Sequence, residues 1–344
     1  MESFRLEVPY KTAYEDTEAF QAVFLLVETS RGIRGFASVS PDLMLTGESA
    51  EDVMHKLKNL IEPALLGMDL RRYIHILETI KKMTGEGPAT LCLIDTLLYD
   101  LMSKLAGLPL YQYLGGYREY MRTSVTVGIL PLDETLDMVS GWVQRGYGII
   151  KLKGGRNVSQ DIEKVNRIRE KFGRELVIRF DANQGYSVAE AIKFINETRR
   201  ADIELLEQPT PREKMDWLGY VTKRTDVMVL ADESLVNLKD ALILSRDGMT
   251  DLINIKLVKV GGITEALHIN SVAKAAGIKV MVGCFDECAL GIAAGVHFAL
   301  SRPNIAYADL DGHLDVMNDP TSGAVDIRNG ILYPGTSPGL GFEL

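Results

Sequence analysis

One feature limits the fold more than any other. From Thr123 to Asp309, short β-branched runs alternate with longer amphipathic stretches. The runs are 123–129, 148–153, 176–181, 203–207, 227–232, 252–257, 278–283 and 304–309. The stretches between them, such as 188–198 and 264–276, have the apolar spacing of helices lying on a parallel sheet. From Lys153 to Asp181, Glu207, Asp232, Lys256, Gly283 and Asp309 the steps are 28, 26, 25, 24, 27 and 26 residues, each one strand plus one helix. Eight such units close most naturally into a (β/α)₈ barrel. An open doubly wound sheet has the same alternation, but no glycine-rich phosphate loop follows the first strand. The pairs Gly115-Gly116, Gly154-Gly155 and Gly261-Gly262 read as turns.

In such a barrel the C-terminal strand ends form the reactive face. Asp181, Glu207 and Asp232 close three successive strands. Three carboxylates that close repel one another unless a cation sits between them, and an all-oxygen set suits a hard ion, Mg²⁺ ahead of Mn²⁺. Strand-end acids also cap helices. Recurrence of one register three times running favours the metal.

Lys151 and Lys153 are two apart on the second strand, so both amines face the barrel interior. Close like charges and partial burial favour the neutral form of one lysine, which makes it a usable base. Lys153, nearer the strand end, is the expected base, with Lys151 as its electrostatic partner. Lys256 ends the sixth strand, with Asn254 on the same face. Second and sixth strands of an eight-stranded ring are opposed, so Lys153 and Lys256 flank whatever the metal holds. That arrangement removes a proton from one face and returns it to the other.

The net charge of −9 argues against nucleic acid or an anionic membrane as partner. Only Cys92, Cys284 and Cys288 are present, too few for a disulfide framework, which fits a reducing compartment. The first residues lack a secretory signal, and no apolar run reaches membrane-spanning length, so a cytoplasmic protein is expected. A homo-oligomer is compatible with the sequence.

Residues 1–120 read as an α+β domain: a strand at 22–28, helical segments around 49–66 and 70–83, and a helix near 89–106. The barrel takes 121–315. The tail, 316–344, is rich in Gly, Pro and Asp without strong periodicity, and is expected to return to the first domain.

These residues resemble the enolase superfamily, specifically its muconate-lactonizing-enzyme subgroup. The resemblance rests on Lys151-x-Lys153, Asp181-Ala182-Asn183, Glu207-Gln208-Pro209, Ala231-Asp232-Glu233-Ser234 and Asn254-x-Lys256, with Ile94-Asp95 and Leu114-Gly115-Gly116 in the preceding domain. It implies a capping α+β domain over a modified barrel, one Mg²⁺ held by Asp181, Glu207 and Asp232, and an enolate intermediate. Glu233, Asn183 and Asn254 then stand just behind the ligands.

Asp309-Leu310-Asp311 resembles the Asp-x-Asp motif of dipeptide epimerases, including those acting on L-Ala-D/L-Glu. The resemblance implies that these acids bind the substrate's free ammonium group, as two carboxylates without a lysine of their own nearby. Thr126 is placed with them as a substrate contact. The implied reaction is 1,1-proton transfer at the α-carbon of a dipeptide's C-terminal residue, a small-molecule substrate. β-Elimination as in o-succinylbenzoate synthase, cycloisomerisation, and a catalytically silent binding protein are the rivals.

The specificity positions are less defined. Asp286, in Gly283-Cys284-Phe285-Asp286-Glu287-Cys288, either salt-bridges a basic substrate side chain or stands in solvent. The capping segment 11–20 holds Tyr14, Glu15, Asp16 and Glu18 with no arginine, leaving Lys11, Arg31 and Arg34 as candidate anion partners. Cys284 and Cys288 are expected to line the pocket or pack, and His313 to be a loop residue.

Overall fold

The structure is a computed structural model, and it describes residues 1–85 and 87–343. Eight parallel strands form one sheet: β5 (Val125–Val127), β6 (Ile149–Lys153), β7 (Val177–Asp181), β8 (Leu205–Glu207), β9 (Met228–Ala231), β10 (Leu252–Ile255), β11 (Lys279–Gly283) and β12 (Ile305–Asp309). The strands pair in sequence order, and the sheet's two ends meet where Ser124 N–H donates to the Ala308 carbonyl at 3.3 Å. This is the expected barrel, with strands shorter than the apolar runs that announce them.

Among the described residues seven helices of eight residues or more connect the strands: Leu132–Gln144, Val158–Phe172, Val188–Thr198, Met215–Thr222, Leu238–Arg246, Ile263–Ala275 and Ala289–Ser301, the last but one preceded by a short helical turn, Leu257–Val260. The eight-unit expectation is thereby corrected to seven strand-helix units and a final strand. After β12 the described residues hold only a 3₁₀ turn, Ser322–Ala324, and two short strands, because the tail lacks an apolar stripe to lay on the sheet. Elsewhere local signals set the helix ends. Asn157 accepts from the N–H groups of Ser159 and Gln160 to start Val158–Phe172, and Ser187 with Glu190 forms a capping box on Val188–Thr198. Ala191, Phe194 and Ile195 are the inner face of the latter helix, and Phe194 lies 4.3 Å from the Phe180 ring of β7. Truncating so buried an aromatic costs about 3–5 kcal/mol.

Leu205, Leu230, Leu252 and Met281 plug the barrel beneath the strand ends. Above that plug the inward positions turn polar. The change positions the site.

The first domain is an antiparallel sheet of β1 (Glu2–Lys11), β2 (Asp16–Glu28) and β3 (Arg34–Val39), backed by the helices Ala50–Lys56, Tyr73–Thr84 and Pro88–Leu105. The β1–β2 turn reaches the barrel rim, where Ile129 N–H donates to the Lys11 carbonyl at 2.8 Å. Gly128 permits this approach, since a Cβ there would lie 2.7 Å from Tyr10 Cβ. The long helix Pro88–Leu105 is the hub. Buried Asp95 accepts from Thr264 N–H at 2.9 Å on the barrel, and buried Asp100 accepts from Phe36 N–H and Leu340 N–H at 2.9 and 2.7 Å. In the tail, β13 (Asp326–Arg328) and β14 (Ile331–Tyr333) form a hairpin that pairs with β4 (Met121–Arg122). No helix of the described residues is long and apolar enough to cross a membrane.

Candidate active site

Parallel register sets Lys153 beside Asp181 and Asp181 beside Glu207, on three adjacent strands. Asp232 follows directly after β9, and Lys256 directly after β10. All three acids are almost fully buried, and one oxygen from each lies within 4.8 Å of the others. Burial, then the charge of Asp181, pushes Glu207 up to about 8. Burial works to raise Asp181 too, but Lys153 and Lys151 outweigh it and hold it below the usual carboxylate range.

The set fits one divalent cation. Glu207 Oε2 and Asp232 Oδ2 are buried without a hydrogen-bond donor among the described residues, although Lys151 and Lys256 stand 2.8 and 2.9 Å away in ion-pair contact. Two unfilled anionic acceptors facing one centre, with oxygen ligands only, match the needs of a hard ion. Asn183 donates to Asp181 Oδ2 at 3.3 Å and Glu233 Oε1 at 3.2 Å, and Asn254 donates to Glu207 Oε1 at 2.9 Å. Burial and Asp232 push Glu233 up to about 7.

Lys151 is enclosed by acids: Asp181 at 3.1 Å, Glu207 at 2.8 Å and Asp309 at 2.8 Å. Burial opposes its charge, but Asp309, Glu207 and Asp181 raise its pKa well above the usual value. Lys151 is therefore a fixed cation that balances the acid cluster. Lys153 pairs with Asp181 at 2.8 Å and lines the cavity. Lys256 pairs with Asp232 and lies 4.9 Å from the Phe285 ring centre. Burial opposes its charge as well, yet Asp232 more than offsets this and raises its pKa.

One expectation fails at the Asp-x-Asp pair. Asp309 does have a lysine of its own, because closure of the sheet between β5 and β12 brings Lys151, on the next strand β6, within reach of it. Ser124 donates to its other oxygen at 2.5 Å, and burial is outweighed by Lys151, leaving Asp309 at about 2. Asp311 is different. It accepts the Thr126 N–H at 2.5 Å, and burial with the Asp309 charge pushes it up to about 7. It faces the cavity with Thr126.

The cavity has a volume of about 130 Å³ and runs from Lys151, Lys153 and Lys256 to the capping turn. Asp286 lines it, half-buried, with both oxygens on the Tyr10 hydroxyl at 3.0 and 2.8 Å, so it does not stand in open solvent. Cys284 lines it as well, while Cys288 packs with Phe4 and Ala22. His313 is half-buried in the loop after Asp311, and burial lowers it to about 4. Lys11, Arg31 and Arg34 do not line it: Lys11 pairs with Asp16, Arg34 pairs with Glu28, and Arg31 borders a separate groove on the first domain. Arg31 and Arg34 lie at the β2–β3 turn, the end of the sheet opposite the β1–β2 turn, whereas Lys11 is at the rim with its side chain on Asp16.

Sequence reasoning missed four contributors. Tyr10 comes from the first domain and has no sequence signal tying it to Asp286. Lys259 donates to Asp232 from one helical turn beyond Lys256. Gln208, at φ 31°, accepts from Asp232 N–H and Ser234 N–H at 3.0 and 3.1 Å and so ties two ligand loops together. Its left-handed backbone, shared with Asn183 at φ 41°, is a strain that the surrounding bonds must hold. Arg179 fills the barrel below Lys151, bonding the Ala308 carbonyl at 2.8 Å.

A barrel of seven strand-helix units and a closing strand, capped by an antiparallel domain and carrying acids on three successive strand ends, defines the enolase class of fold. Residues 1–115 match the family described as Mandelate racemase / muconate lactonizing enzyme, N-terminal domain, and residues 134–344 match Enolase C-terminal domain-like. The chain belongs to this enolase superfamily. It is 37% identical to the L-Lys-D/L-Arg epimerase of Desulforapulum autotrophicum, covering 99% of this chain and 97% of that protein. The substrate-liganded L-Ala-D/L-Glu epimerase of Bacillus subtilis superposes with a TM-score of 0.96 at 33% identity, over 98% of this chain and 95% of that one. The dipeptide epimerase of Enterococcus faecalis, holding Mg and L-Leu-L-Tyr, has a TM-score of 0.96 at 35% identity, over 99% and 96% of the two chains. The protein is an isomerase of the racemase and epimerase kind that acts on amino acid derivatives.

Proposed function

We propose that this protein is a Mg²⁺-dependent dipeptide epimerase. Lys153 of β6 and Lys256, directly after β10, come from strands four apart in the ring of eight and line one cavity with three acids from successive strand ends between them, and this observation carries the reading. Bound Mg²⁺ would be held by Asp181, Glu207 and Asp232 and would supply positive charge opposite the carboxylate next to the reacting carbon. Lys153 takes the α-proton of the C-terminal residue from one face. Lys256 returns a proton to the other, so configuration inverts and no atom is gained or lost. Lys151 keeps its proton and steadies the acids. Asp311 receives the substrate's free amine, while Asp309 is engaged by Lys151.

The three relatives named above differ in the side chains they are described with, but all are dipeptide epimerases, which supports that class without choosing a member. The test is incubation of a dipeptide panel with the protein and Mg²⁺ in D₂O. Gain of one deuteron at the α-carbon, abolished by Lys153→Ala or by chelation, is the expected result. Loss of water from an acid substrate, with no exchange in any dipeptide, would replace epimerisation by elimination.

A further inference from the structure

The charge of the cavity says more about the substrate than the reaction does. Six acids line it, Glu15, Asp42, Asp286, Asp309, Asp311 and Asp315, and its only basic side chains among the described residues are Lys151, Lys153 and Lys256. Each lysine already stands against a metal-site acid. Asp42 is engaged in capping, accepting from Met44 N–H and Leu45 N–H at 2.8 and 3.0 Å.

Among the described residues Asp286 and Glu15 have no backbone N–H of that kind. Asp286 faces the Tyr10 hydroxyl with both oxygens, and a phenol carries one proton, so one oxygen is always left open. Glu15 accepts the Thr17 hydroxyl at 2.8 Å through Oε1. Independently of these acids, Asn183 lines the same cavity, is only 3% exposed, and its Oδ1 has no donor among the described residues. Whatever fills the cavity is called on to donate. Leu130, Met138 and Trp142 add an apolar wall. A long aliphatic stem with a charged tip fits such a combination of wall and acids.

Building on the epimerase reading, we propose that the substrate dipeptide carries a cationic side chain, of lysine or arginine type, whose tip meets Asp286 and Glu15. An anionic side chain would face like charges with no basic partner. An aliphatic one would leave the half-buried Asp286 carboxylate without a counter-charge. Burial, partly offset by the Tyr10 hydroxyl, already raises the Asp286 carboxyl to about 6, as befits an acid waiting for a cation.

The test measures deuterium incorporation for L-Ala-L-Lys, L-Ala-L-Arg, L-Lys-L-Ala, L-Ala-L-Leu and L-Ala-L-Glu at concentrations well below KM, with Mg²⁺ present. A cationic dipeptide is expected to exceed the leucine and glutamate ones in kcat/KM by about tenfold or more. Comparing L-Ala-L-Lys with L-Lys-L-Ala tells which residue's side chain reaches Asp286. Within Asp286→Asn the cation-to-leucine ratio is expected to collapse, and Glu15→Gln on the exposed turn should lower the same ratio if the first variant does not fold. Leucine or glutamate dipeptides turning over as well as the cationic ones, with ratios untouched by either substitution, overturns this inference and leaves the epimerase reading standing. Exchange with none of the five removes both.

Discussion

The Nζ atom of Lys259 lies 2.5 Å from the backbone carbonyl oxygen of Asp232 and 2.5 Å from its Oδ1. Lys259 is fully buried, and a third bond, to the Asn254 carbonyl at 3.2 Å, completes its set. One carboxylate oxygen of Asp232 is thus fixed by Lys259, which leaves Oδ2 to face the metal position and Lys256. Replacing Lys259 by methionine keeps the volume and removes the clamp. Breaking a buried pair costs about 3–5 kcal/mol, and the lower end is expected because Lys256 remains beside Asp232. Loss of a group that orients a ligand weakens metal binding about 10–100-fold. Urea unfolding and Mg²⁺ titration calorimetry on Lys259→Met measure the two. Undiminished Mg²⁺ affinity in a folded variant would show that Asp232 needs no such support.

Lys259 also shows where the sequence stops being legible. The apolar run at 252–257 reads as a strand to its end, but the strand stops at Ile255 and Leu257–Val260 is a helical turn, which carries Lys259 back under Asp232. Strand ends with acids at near-constant spacing were readable because β-strand pairing in register converts spacing directly into proximity, as with Lys153, Asp181 and Glu207. Contacts across the barrel or between domains carry no such pattern. Lys151 meets Asp309 across 158 residues, and Tyr10 meets Asp286 across 276. Both depend on how the sheet closes and how the first domain docks. The missing eighth helix was visible in part, as a tail without periodicity.

Asp311 is expected to act through the substrate amine. With Asp309 engaged by Lys151, Asp311 is the acid with capacity left for an ammonium group. Asp311→Asn should raise KM for a free-amine dipeptide by about tenfold or more, since hydrogen bonds to charged groups contribute about 1.5–3 kcal/mol. The N-acetylated dipeptide, lacking the charge, should be a poor substrate for both proteins to a similar degree. Steady-state kinetics with the matched pair checks this, and an equal loss for both substrates would assign Asp311 a purely structural part.

The Asp286 carboxyl, raised to about 6 by burial, gives preference for a cationic dipeptide a pH dependence. It is ionised above about pH 6 and neutral below, with Tyr10, Lys153, Glu15 and Lys256 as the groups that act on it. The ratio of kcat/KM for L-Ala-L-Lys over L-Ala-L-Leu should therefore be flat above about pH 7 and fall below about pH 6, by up to about tenfold for each further drop of one in pH. Taking the ratio cancels ionisations that both substrates share. In Asp286→Asn the ratio should no longer change with pH. A profile that keeps its inflection in that variant places the titration elsewhere.

Asp95 couples the two domains and should make their union pH-sensitive. Its Oδ2 accepts from Thr264 N–H and its Oδ1 from the Thr264 hydroxyl at 2.7 Å, while Gly262 leaves room that any Cβ would fill. Burial pushes the carboxyl up to about 7, against an ordinary value of 3.8, with the Thr264 bonds pulling it partly back. The folded state therefore binds this proton more tightly than the unfolded one. Stability contributed by the group is fully present below about pH 4, is lost as pH rises to about 7, and then levels off. Each tenfold gain in proton affinity on folding is equivalent to about 1.4 kcal/mol, so the whole loss comes to about 4 kcal/mol. Asp95→Asn preserves an acceptor for the Thr264 N–H and an amide for the hydroxyl to accept from, but it cannot ionise. Urea unfolding at about pH 5 and about pH 8, with metal chelated, should show the natural protein losing more stability between the two than the variant does. The same loss in both would mean that other buried acids, such as Glu287 at about 7, account for it instead.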